Sequence, residues 1–209
     1  MKKLSILAVA CAALLSSCTC NNEVKTEAPD NGKAALEVIM TRTSIRQYTD
    51  QPVEMEKVEA MLRAGMAAPT AMNAQPWHFV VINDKAKLEE LAAANPRGKM
   101  LQSAPLAIVV CGDMSKTREG KAREFWIQDC SAATENILLA AHAQGLGAVW
   151  TALHPMDERV APVCEALKLP ESFIPLCTII IGYPAEQPQP KDKWKPENVS
   201  YNEFGHSNQ

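Results

Sequence analysis

Two short segments of this chain hold the residue types best suited to chemistry. In Arg42-Thr-Ser-Ile-Arg46-Gln-Tyr48, two guanidinium groups and two hydroxyls fall within five residues. That set can grip a phosphate through charge-assisted, partly bidentate hydrogen bonds. The second segment, Ala68-Pro-Thr-Ala-Met-Asn73-Ala-Gln75-Pro-Trp77-His-Phe79, is a turn of small residues with two carboxamides. Each carboxamide offers a donor and an acceptor, so Asn73 and Gln75 together could read the edge of a heteroaromatic ring. A phosphate grip beside a ring reader describes a site for a nucleotide-like cofactor.

More cations could join the first segment. A phosphomonoester carries about -1.5 to -2 charges at neutral pH and calls for two or more cations or helix N-termini. Arg42 and Arg46 would share one face if their segment were helical. Lys191 and Lys193, in the proline-rich stretch Gln187-Pro-Gln-Pro-Lys-Asp-Lys-Trp-Lys-Pro196, could complete the cradle; taken by themselves they read as solvated tail lysines.

The elements that must position these groups alternate between helix and strand. Helices are expected over residues 33–40, from Pro52 to a stop at Pro69, over 84–94 with Asp84 as N-cap, over 123–144 with Gly145 as the stop, and over 156–167. The helix over 123–144 is apolar around most of its circumference, which places it centrally. Strands are expected at 77–82, 105–112, 148–153 and 176–181. The run Pro105-Leu-Ala-Ile-Val-Val-Cys-Gly112 is apolar throughout, as in a strand covered on both faces. This alternation points to an α+β or three-layer α/β domain. The tail beyond residue 184 is too poor in packing residues to close a domain and must dangle or lie on something else.

The chain has 209 residues, 47% of them hydrophobic and 22% charged, and a formal net charge of -3. These values fit one globular domain and argue against a general nucleic-acid binder. Its first residues differ in kind from the rest. Lys2 and Lys3 precede an apolar run too short to span a bilayer, and Leu15-Ser16-Ser17-Cys18 follows, the order of a secretory signal. The four-residue ending resembles a bacterial lipobox. The expected organisation is therefore a signal peptide over 1–17, lipidation at Cys18, a polar tether over 18–32 and a folded domain over 33–209. Such a chain would be exported and held at a membrane by lipid alone. Of the seven cysteines, Cys111, Cys130, Cys164 and Cys177 read as buried small hydrophobes. No CxxC pair is present, and His78, His142 and His154 have no spaced partners that would indicate a metal site or a triad.

Four motifs in order resemble the nitroreductase family of FMN-dependent oxidoreductases: Arg-x-Ser-x-Arg-x-Tyr at 42–48, Pro-Thr-x-x-Asn-x-Gln-Pro-Trp at 69–77, Leu-Ala-Ala-His-Ala-x-Gly-Leu-Gly at 139–147, and Ile-Gly-Tyr-Pro at 181–184 followed by Pro-Lys-x-Lys. The resemblance implies a three-layer α/β/α fold with a central, mostly antiparallel sheet, in a homodimer whose C-terminal extensions are exchanged. It implies FMN as cofactor, with Arg42, Thr43, Ser44 and Arg46 at the phosphate and Lys191 and Lys193 closing on it. Arg46 would also serve the N1 and O2 edge of the ring. Thr70, Asn73 and Gln75 would contact the ribityl chain and isoalloxazine of the other subunit, and Trp150, Thr151 and Ala152 would follow the flavin face. The activity implied is hydride transfer from NAD(P)H or another donor, through FMN, to a nitroaromatic, quinone or similar small aromatic acceptor by a ping-pong mechanism. No side chain is required as catalytic acid or base. A flavin-binding or electron-relay lipoprotein without turnover is the alternative, and a ligand-binding lipoprotein without flavin is a third.

Overall fold

The computed structural model describes residues 31–94 and 98–206. The expected signal peptide, the expected lipidation at Cys18 and the expected tether up to residue 30 lie outside the described residues. Five helices and four strands follow in order: α1 (Asn31–Thr41), α2 (Met55–Met66), β1 (Trp77–Ile82), α3 (Lys85–Ala94), β2 (Leu106–Asp113), α4 (Phe125–Ala143), β3 (Gly147–Ala152), α5 (Asp157–Leu167) and β4 (Phe173–Gly182).

The strands form one sheet in the order β1-β2-β4-β3, antiparallel throughout. Every residue of β2 is buried, and its alternation divides the core in two. Leu106, Ile108 and Val110 pack with Val58 and Met61 of α2 and Ala133 and Ile137 of α4. Ala107, Val109 and Cys111 pack on the opposite face with Leu88 and Leu91 of α3 and Val163 of α5. Side chains of period two on a sheet covered by helices on both faces require this division. The result is the three-layer α/β/α arrangement expected from the sequence.

Local signals set most of the boundaries. Asp84 caps α3, its Oδ1 accepting from the Lys87 amide at 2.9 Å, and Gly145 leaves α4 at φ 76°, a conformation glycine adopts without steric cost. The segment 42–46 is not the helix that would have set Arg42 and Arg46 on one face. α1 stops at Thr41, and Ser44 pairs in parallel with Ala148 on the free edge of β3. The segment is therefore docked on the sheet edge at Ser44 and is not helical. β4 also starts earlier than expected, at Phe173. Pro175 lies inside it, where the β2–β4 register shifts between Val110 and Cys111. A bulge is one of the few places a sheet admits a residue without an N–H.

Candidate cofactor site

The arginine segment is fixed by what lies behind it. The Ile45 amide donates to Ala148 O at 3.0 Å, and the Ile45 side chain is buried against the backbone of Gly147. A Cβ on Gly147 would stand 2.7 Å from Ile45 Cβ, so the close approach depends on glycine at that position. The Tyr48 hydroxyl lies 2.5 Å from Ile45 O and 2.9 Å from Ile180 O. Burial pushes its phenol above the usual tyrosine range. At the other end, Thr41 Oγ1 lies 2.8 Å from His142 Nε2, tying the end of α1 to α4. His142 is thus a packed, hydrogen-bonded residue.

The C-terminal arm brings the remaining cations. A cavity of about 570 Å3 lies between Arg42, Thr43, Ser44 and Arg46 on one side and Pro188, Gln189, Lys191, Asp192, Lys193 and Trp194 on the other, with Ile39 and Met40 of α1 at its margin. Arg42 is held by Glu135 of α4, Nε to Oε1 3.3 Å. Among the described residues, no ion pair involves Arg46, Lys191 or Lys193. Three unpaired cations and a fourth in one concave site have the charge to receive a multiply charged anion, with the forked guanidinium groups able to bind it bidentately. Asp192 is the one acid in the lining; its Oδ1 accepts from the Trp194 amide at 2.9 Å. Sequence reasoning missed Ile39, Met40, Gln189 and Trp194. The exposed apolar side chains of α1, Leu36, Ile39 and Met40, were the available signal for two of them.

The carboxamide loop is separately built. Asp129 of α4 is buried, and its carboxylate accepts from Thr70 Oγ1 and from the Ala71 amide, each at 2.9 Å. Thr70 Oγ1 in turn accepts from the Gln75 amide at 3.0 Å. Met72, Asn73 and Gln75 all have positive φ, 53°, 54° and 49°, a left-handed backbone that costs non-glycine residues and is retained where surrounding structure enforces it. Gln75 Nε2 donates to Asn73 Oδ1 at 2.8 Å. That bond leaves the amide nitrogen of Asn73 and the amide oxygen of Gln75 presented outward, one donor and one acceptor. The Thr70 hydroxyl is committed to Asp129. None of Thr70, Asn73 and Gln75 lines the cation cavity, so within one chain the two halves of the expected site stand apart.

The β3 residues are likewise outside that cavity. Thr151 is buried, its hydroxyl donating to Thr178 O at 2.8 Å; Trp150 is half-buried against the α4 side of the core and Ala152 is exposed. No group of three His, Cys, Asp or Glu side chains among the described residues could hold a metal ion. Cys111, Cys130 and Cys177 are buried free thiols, as expected, whereas Cys164 is only half-buried. Burial pushes Cys111 and Cys177 up to about 12 and Cys130 higher still, so these thiols stay protonated and inert.

The family model described as "Nitroreductase family" matches residues 39–96 and 89–183. The chain belongs to the nitroreductase family. A Methanothermobacter thermautotrophicus protein, provisionally named NADH dehydrogenase/NAD(P)H nitroreductase, is 44% identical over 164 residues, covering 78% of this chain and 84% of that one. A solved Bacteroides thetaiotaomicron structure with the same provisional name is 48% identical at a TM-score of 0.77, covering 82% of this chain and 98% of that one. A provisionally named nitroreductase from Desulfovibrio desulfuricans, solved in complex with FMN, is 34% identical at a TM-score of 0.71, covering 81% of this nitroreductase-family chain and 97% of its own.

Proposed function

We propose that this chain is an FMN-dependent NAD(P)H oxidoreductase acting on a nitroaromatic, quinone or similar small aromatic acceptor. The observation that carries the reading is the cavity that gathers Arg42, Arg46, Lys191 and Lys193. Its charge suits a phosphomonoester of about -1.5 to -2, and relatives named as NAD(P)H nitroreductases and one solved with FMN support the flavin. Arg42, Ser44, Arg46, Lys191 and Lys193 would hold the phosphate, with the backbone of Thr43 beside them. Because Arg46 shares a cavity with both tail lysines, the phosphate is favoured for it over the ring edge. Held there, FMN would supply the hydride-transfer chemistry that links the nicotinamide to the acceptor in ping-pong fashion. The protein contributes orientation, fixed charge and exclusion of water.

Thr70, Asn73 and Gln75 are given to the site of a second copy, since their outward donor and acceptor do not line the cation cavity of their own chain. Trp150, Thr151 and Ala152 remain the backbone beside the flavin. Purified protein should be yellow and should bleach anaerobically with NADH or NADPH. Arg42→Ala should emerge from gel filtration with little FMN. Colourless protein that takes up no FMN would overturn the reading.

Residues 1–17 and Cys18 carry the second part of the proposal, an exported lipoprotein anchored by acyl chains. Free NAD(P)H is not expected outside the cytoplasmic membrane, so in the cell an exported chain would draw electrons from a different donor, with NADH or NADPH as the donor to the purified protein. Labelling cells with a fatty-acid probe should mark the intact protein but not Cys18→Ala; equal labelling of both would remove the lipid anchor from the account.

A further inference from the structure

We propose that Glu186 is the positioning residue of the phosphate cradle, a latch that holds the C-terminal arm against the arginine segment; this rests on the phosphate reading of the cavity given above. After β4 the arm runs back along residues 47–49. The Thr49 amide donates to Tyr183 O at 2.9 Å, the Ala185 amide donates to Gln47 O at 2.9 Å, and Tyr48 pairs with Pro184. The next contact changes in kind. Glu186 Oε1 accepts from the Arg46 amide at 2.6 Å and from the Gln47 amide at 3.2 Å. Beyond it, Pro188 and Pro190 have no N–H to give. Among the described residues no backbone hydrogen bond ties residues 187–195 to the arginine segment, so Glu186 is the last fixed point before Lys191 and Lys193.

The arrangement carries an electrostatic cost. A carboxylate beside a site for a dianion repels the ligand, and Glu186 forms no ion pair among the described residues that would cancel its charge. Its contribution is therefore geometric. Two successive amides converging on one oxygen form a concave backbone site for an anion, and here the occupant is a side chain of the arm itself. By fixing the Arg46 backbone and the arm at the same atom, Glu186 sets the separation between the arginines and the lysines.

Three substitutions separate geometry from charge. Glu186→Ala removes the acceptor, Glu186→Asp keeps the charge but withdraws it by one methylene, and Glu186→Gln keeps an acceptor oxygen while removing the charge. Full-length protein stripped of flavin is titrated with FMN and with riboflavin, which lacks the phosphate. Glu186→Ala and Glu186→Asp should raise the FMN Kd roughly tenfold, the scale of one charge-assisted hydrogen bond, and leave riboflavin unchanged. Glu186→Gln should bind FMN at least as tightly as the parent. Trypsin should cut after Lys191 and Lys193 faster in the Ala and Asp variants than in the parent. The latch is overturned if the Asp variant, which retains the charged side chain should Ala fail to fold, holds FMN as the parent does, if riboflavin weakens equally, or if Gln behaves like Ala. Arg42→Ala and Arg46→Ala are run beside them. If these keep the preference for FMN over riboflavin, the phosphate reading itself fails and the latch falls with it; if they lose it and the Glu186 variants do not, the latch alone fails.

Discussion

Individual side chains in this protein act through what they hold as much as through what they could touch. Asp129 meets no cavity cation, yet the carboxamide loop is assembled on it through Thr70 and Ala71. Asp129→Ala should cost about 2 kcal/mol, the scale of hydrogen bonds to a buried charge, read as a lower urea midpoint. Amide exchange should rise first at residues 71–75, and retained FMN should fall although the cation cavity is intact. Asp129→Asn can still accept from the Ala71 amide and donate to Thr70 Oγ1, and should recover most of the loss. The buried thiols give a second test. Only thiolate is nucleophilic, and with Cys111 and Cys177 pushed up to about 12, raising the pH from 7 to 9 should leave Cys111, Cys130 and Cys177 unalkylated in the native protein while labelling them at once in urea. Mass spectrometry of the labelled peptides reads the result. The arginines, hydroxyls and carboxamides were legible in sequence because their chemistry is written in residue type. Asp129 and Glu135 were not: their partners lie 59 residues away through Thr70 and across the fold at Arg42, and no local pattern records such a pairing.

Among the elements, strands with unbroken apolar runs and helices with caps could be read directly, and the exceptions have local causes. The early start of β4 was hidden by Pro175, which signals a break unless the bulge beside it, at Leu176 of β4 itself, is known. A helix would have set Arg42 and Arg46 on one face; the segment instead lies past the end of α1 and is held on the open edge of β3, where the Ile45 amide finds Ala148 O. Gly147 makes that docking possible. Gly147→Ala would place a methyl 2.7 Å from Ile45 Cβ, a branched carbon too near its own backbone to swing aside. The segment would have to lift from β3 at a cost of about 1–3 kcal/mol, the usual range for overpacking. The lifted segment carries Arg42, Ser44 and Arg46, so FMN affinity should fall by more than the stability loss explains, and riboflavin affinity by less. Equal losses for the two flavins, measured by fluorescence titration, would place the effect in the fold as a whole.

At the scale of the molecule, one chain leaves several large apolar side chains in water. Leu36, Ile39 and Met40 of α1 are 63%, 53% and 70% exposed, and in the arm Trp194 is 68% exposed and Phe204 fully so. A large, mostly apolar exposed set suits a partner surface, and the outward carboxamides of Asn73 and Gln75 do not line the cation cavity of their own chain. The homodimer proposed above would answer both needs through an isologous interface, in which each protomer would give its loop and arm to the other. The prediction joins association to cofactor. The soluble chain from residue 19 onward should run as a dimer in light scattering, and its FMN content should fall with dilution in step with dissociation. Deleting residues 187–209 removes Lys191, Lys193 and the exposed arm aromatics while leaving the sheet and the Glu186 contact in place. The shortened chain should keep its helix and strand signal in circular dichroism, dissociate to monomers at concentrations where the parent remains paired, and lose FMN together with the dimer. A shortened chain that stays dimeric and yellow would mean that neither the arm nor its lysines serve the site, and the cavity between Arg42 and Lys193 would have to be assigned a different anion.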